Sequence, residues 1–132
     1  MAAAAEINPD AVEIVRSKHL LPDDAAVTDD YCELANRDDV AIVDSCLGHN
    51  PSKKHKRVEF AEACAAARKP LMFHKPAAST LGAAERIEEI SRESGVPICI
   101  NQNCRYNPAA YSTKQLLSED RLGSPTIMEL QH

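Results

Sequence analysis

Lys69-Pro70-Leu71-Met72-Phe73-His74-Lys75-Pro76 holds a short apolar run, Leu71 to Phe73, with no charge inside it and a proline closing it. Such a run reads as a buried strand that ends in a turn. An alanine-rich helix pattern precedes it and a second helix pattern follows, which is the βαβ rhythm of an open parallel sheet. Ligands of such sheets bind beyond the carboxyl ends of the strands, where His74 and Lys75 fall. A lysine there, fixed by Pro76, is well placed for chemistry.

Working outward, Val40-Ala41-Ile42-Val43-Asp44-Ser45-Cys46 is a second clear strand, nearly continuous in small and β-branched residues. That pattern is expected when both faces of a parallel sheet are covered. Gly48 and Pro51 punctuate the turn after it, and Ser52 is the expected cap of a helix over 53–68. The slim faces of that helix, Val58, Ala61 and Ala65 beside Phe60, Cys64 and Ala67, allow it to lie close on a sheet. After the opening stretch, Ser79 or Thr80 starts a helix with Leu81, Ala84, Ile87 and Ser91 inward, and Gly95 ends it. Val96 to Ile100 reads as a strand, 108–119 as a helix, and 125–131 as a last strand. Towards the amino end, Ala5-Glu6-Ile7 closes a strand, and Asn8-Pro9 starts a helix with Ala11, Ile14, Val15 and Lys18 on one face. A short strand over 25–28 and a brief helix to Asn36, capped by Thr28 or Asp29, complete the order βαβαβαβαβαβ.

Composition narrows the function classes. The 132 residues are 44% hydrophobic and 27% charged, ordinary for a globular chain that buries roughly two-thirds of its unfolded surface. A net charge of −5 argues against nucleic acid as a partner, and no apolar run approaches the ~20 residues of a membrane span. Cys32, Cys46, Cys64, Cys99 and Cys104 are odd in number and form no C-x-x-C pair, so reduced thiols serving as small core residues in a cytoplasmic protein are expected. The spacing of His49, His55 and His74 matches no ligand pattern, so no metal site is expected. The basic run Lys53, Lys54, Lys56 and Arg57 reads as a solvated face.

The order of these motifs resembles the glucose–fructose oxidoreductase and inositol dehydrogenase family, the Gfo/Idh/MocA group. A strand, a turn, a helix and a strand ending Glu-Lys-Pro mark that family; here they read Val40 to Cys46, a helix, and His74-Lys75-Pro76. Val96-Pro97-Ile98-Cys99-Ile100-Asn101-Gln102-Asn103-Cys104-Arg105-Tyr106-Asn107-Pro108 and Leu117 to Pro125 resemble two further family patterns. The resemblance implies a Rossmann-like, doubly wound α/β fold and an NAD(P)-dependent dehydrogenase of sugars, polyols or related hydroxy compounds. It implies Lys75 as the catalytic lysine that polarises the reacting oxygen. It places Glu6, Leu47, Gly48, Asn50, His74, Pro76, Asn103 and Arg105 along the cofactor, with Glu6 at the adenosine ribose favouring NAD over NADP.

Against the family pattern, His74 stands where Glu precedes the lysine, and Arg57 falls at the place of a turn histidine. None of the four glycines forms G-x-G-x-x-G. The chain is therefore expected to be an excerpt: 1–124 a partial dinucleotide-binding domain, 125–132 the start of a substrate domain. In the strand order 3-2-1-4-5-6 the absent strand is central, which would leave the 40–46 strand with an unpaired edge and favour homo-oligomers. The competing expectation is a non-catalytic Rossmann-like remnant acting as a binding or association module.

Overall fold

A computed structural model describes residues 1–47 and 56–127. The elements in chain order are β1 (Ala3–Ala5), α1 (Pro9–Ser17), β2 (Ala26–Thr28), α2 (Tyr31–Asn36), β3 (Val43–Ser45), α3 (Lys56–Ala66), β4 (Leu71–His74), α4 (Leu81–Ser94), β5 (Ile98–Asn101), a 3-10 turn (Asn103–Tyr106) and α5 (Pro108–Ser118). The chain divides into two compact units, Met1–Asn101 and Gln102–His132.

The α/β alternation is as expected, and every strand pair is parallel. β1 pairs with β2, while β3, β4 and β5 form a separate ladder in that order. Among the described residues β3 has no partner on its other edge, the arrangement expected of a doubly wound sheet without its central strand. β3 is shorter than the apolar run of the sequence. Only Val43 to Ser45 lie in the ladder, and Ile42 is exposed.

The core sits against one face of the three-stranded sheet. Val43, Leu71 and Phe73 meet Phe60, Ala61 and Cys64 of α3 and Ile87 and Ile90 of α4. Ala61 and Cys64 are fully buried, so the slim face of α3 does bring helix and sheet close. Tyr31 of α2 extends the core edge-on to Phe60, with ring centroids 4.8 Å apart. The expectation of a sheet covered on both faces does not hold for these strands. Residues alternate across a strand, and Asp44 and Cys99 on the alternate positions are exposed.

Local signals placed the helix ends well. Asn8 accepts the Asp10 N–H at 3.0 Å with Pro9 in the first turn, and Thr80 accepts the Ala83 N–H at 3.2 Å. Gly95 takes the left-handed conformation that ends α4, at φ 69°. The cap of α2 is Asp30, not Thr28 or Asp29, accepting the Cys32 N–H at 2.7 Å. One inward face was misjudged, that of α4, and the shared face of α1 is only partly covered. Ile14 and Lys18 point outward from α1, and Leu81 and Ala84 from α4, whose buried stripe is Ile87 and Ile90.

The cysteines also depart from expectation. All five are free, but Cys46, Cys99 and Cys104 are exposed and Cys32 is half-buried. Cys64 alone is a core residue, and burial pushes its thiol up to about 12. Pro125 to Ile127 carry no strand, and the rest of the expected last strand, like Ser52 and the turn at 48–51, lies outside the described residues.

Candidate active site

The carboxyl ends of β3 and β4 meet in register, with Asp44 beside Met72 and Ser45 beside Phe73. Leu71 and Phe73 are buried and Met72 and His74 half-buried, so His74 emerges on the face opposite the helices. Its Nε2 lies 3.1 Å from Asp44 Oδ1. On the other side, the β4–β5 register sets Asn101 next to His74. Lys75 follows directly, exposed, joined to Pro76 by a cis peptide bond.

Arg57, on the first turn of α3, holds this turn together. Its guanidinium donates to the carbonyl of His74 at 3.1 Å and to the carbonyls of Pro76 and Leu47. The same group lies 5.7 Å from the centre of the Phe73 ring. Partial burial lowers its pKa from the ordinary guanidinium range. Three carbonyl dipoles and a ring face take the place of a carboxylate partner, and the five-donor fork of arginine suits that task. The residues on either side of Lys75 are thereby tied to the end of β3. Arg57 is thus no part of a solvated face, although Lys56 beside it is exposed.

His74, Lys75, Pro76 and Leu47 therefore come together in one turn cluster of the first unit. Glu6 lies just past β1, where its N–H donates to Thr28 O at 2.9 Å and its carboxylate accepts the Asn8 N–H at 2.9 Å. Gly48 and Asn50 lie outside the described residues. Asn103 and Arg105 belong to the second unit, in the 3-10 turn, where the Asn103 side chain accepts the Cys104 N–H at 3.1 Å and Arg105 is exposed. Sequence reading missed Asp44 and Asn101 as neighbours of His74. Period-two alternation assigns each of them a face of its own strand, but the register that sets them beside His74 is not written in one sequence.

A segment of Inositol 2-dehydrogenase 2 from Saccharopolyspora erythraea is 30% identical to this chain over 95 residues, 71% of the chain and 27% of that protein. The chain's relatives are Gfo/Idh/MocA-type dehydrogenases. Among solved structures, an NAD binding oxidoreductase from Klebsiella pneumoniae superposes at a TM-score of 0.76 with 26% identity, over 95% of this chain and 31% of its own. Scyllo-inositol dehydrogenase from Lactobacillus casei, solved with bound NAD(H) and scyllo-inositol, shares the fold at a TM-score of 0.77 with 17% identity, over 94% of this chain and 34% of its own. No family model matches the chain. The chain thus spans between a quarter and about a third of these Gfo/Idh/MocA-type relatives.

The residues present fit the two ends of a dinucleotide unequally with its middle. A carboxylate at the end of β1 suits a ribose diol, and a fixed lysine turn suits the neighbourhood of a nicotinamide. Gly82, Gly95 and Gly123, the described glycines, lie in or just beyond helices and form no phosphate-binding turn.

Proposed function

We propose that this chain contributes the central part of a nicotinamide-dependent oxidoreductase acting on a polyol or sugar hydroxyl. The pinned Lys75 turn carries the reading: a cation at the carboxyl end of a central parallel strand, its flanking carbonyls held by Arg57. A bound nicotinamide supplies the hydride chemistry. Lys75 stabilises the charge that builds on the substrate oxygen, and a charge held in place before reaction costs no reorganisation when it is needed. Glu6 accepts the ribose hydroxyls, which favours NAD over NADP because a 2′-phosphate would meet a carboxylate there. Leu47, His74 and Pro76 wall the nicotinamide end.

The test is a fluorescence titration of the chain with NADH and, in parallel, with NADPH. Saturable binding that is tighter for NADH, and a Glu6→Ala variant that narrows the gap, is the expected result. Absence of saturable binding by both cofactors overturns the reading. Where turnover of a polyol is measurable, Lys75→Ala lowers it by about a hundredfold or more with cofactor affinity little changed. A second reading is a non-catalytic binding module. Binding without turnover of any polyol is its signature.

A further inference from the structure

We propose that Asp44, Cys46 and His74 form a zinc-type metal site on the open face of the three-stranded sheet. The placement follows from strand geometry. Asp44 and Cys46 are two residues apart at the end of β3, so their side chains leave the same face. Extending the β3–β4 register by one step from Ser45 and Phe73 sets Cys46 beside His74. One carboxylate oxygen, one thiol sulfur and one imidazole nitrogen thereby converge, all within 4.8 Å of one another.

The donor set is chemically specific. Zinc binds thiolate at about 2.3 Å and imidazole or carboxylate at about 2.0–2.2 Å, which puts tetrahedral ligands roughly 3.3–3.6 Å apart. His74 Nε2 and Asp44 Oδ1 at 3.1 Å already sit near that spacing. A thiolate and an imidazole favour zinc, cobalt or copper over magnesium or calcium, which take oxygen ligands. Three protein donors leave a fourth position for water or a ligand, the pattern of reactive rather than structural zinc.

The supports are rigid. Asp44 lies within a hydrogen-bonded ladder, and Arg57 fixes the carbonyl of His74. An ion pair between His74 and Asp44 accounts for two of these side chains but leaves Cys46 without a role. Both Asp44 and Cys46 are exposed, so the site is open to a metal from solution. His74 is shared with the proposed nicotinamide end, but the metal site does not depend on the dehydrogenase reading, because its test uses the metal alone.

The reduced 132-residue chain, freed of metal with a chelator, is titrated with Co²⁺ and the sulfur-to-cobalt charge-transfer absorption is followed; Zn²⁺ is then added. Saturation at one equivalent and bleaching by zinc are expected. Cys46→Ser removes the charge-transfer band, and His74→Ala and Asp44→Asn each weaken binding at least tenfold. Cys99→Ser, a substitution on the neighbouring strand, leaves the titration unchanged. Circular dichroism confirms that each variant is folded, which the exposure of Asp44 and Cys46 leads one to expect. A wild-type chain that shows no saturable band, or a band that survives Cys46→Ser, overturns the site.

Discussion

Arg57 shows how much one side chain can organise. Hydrogen bonds to a charged donor contribute about 1.5–3 kcal/mol each when well formed, and less when half in water. Arg57 makes such bonds to three carbonyls, and its removal leaves the end of β4 and the turn through Pro76 without them. Arg57→Ala is expected to destabilise the first unit by about 2–3 kcal/mol in urea denaturation followed by circular dichroism. Arg57→Lys keeps the charge but has no fork to reach three acceptors at once, so it recovers little of the loss. A lysine variant as stable as the wild type would reduce Arg57 to a general positive charge. Little of this was legible beforehand. Counting back from Lys75 marked Arg57 as the family's turn-histidine position, but a basic run reads as a surface until the carbonyls it serves are located. His74, by contrast, was placed correctly, because its strand end is a local feature. Its neighbours Asp44 and Asn101 depend on strand register, which one sequence does not specify.

Elements divide in the same way between local and distant causes. The helix ends were legible because caps are read within a few residues: Asn8 and Pro9, Thr80, and Gly95 all act as their positions suggested. Strand lengths were not, because a strand extends only as far as a neighbour pairs with it, and β3 has a neighbour on one side among the described residues. Two glycines at the ends of α4 test the local part with opposite signs. Gly95 has φ 69° and donates to Ser91 O at 3.0 Å; a Cβ there meets nothing within 4 Å, so its cost is conformational alone. Gly95→Ala is expected to destabilise by about 1 kcal/mol. Gly82, in the first turn of the same helix, also has open space around it, and no positive φ. Gly82→Ala is expected to stabilise by up to about 1 kcal/mol. Thermal denaturation of the pair decides this, and shifts of the same sign would show that conformational freedom is not what distinguishes the two positions.

At the scale of the whole molecule, stability is concentrated in the first unit. Every buried apolar residue of the described chain, from Leu21 to Val96, lies in Met1–Asn101. Gln102 to Ile127 contribute none, and Tyr106, Tyr111 and Leu122 are exposed. Periodicity along each element showed the α/β order. It did not show that apolar residues at 106, 111 and 122 would remain in water, because that is decided by what packs against them. Phe73 is the largest of the fully buried side chains, wedged between sheet and helices at 0% exposure. Phe73→Ala is expected to cost about 3–5 kcal/mol, through lost burial and the cavity left behind. For a small domain with a total of about 5–15 kcal/mol, that removes much of its margin. Leu122→Ala, in the second unit, leaves no cavity because its side chain is 55% exposed. Its urea transition is expected to overlay that of the wild type. If both substitutions shift the transition equally, the second unit shares the cooperative core; if only Phe73→Ala does, the fold rests on α3 and α4 packed against three strands, the same strands that present the Lys75 turn.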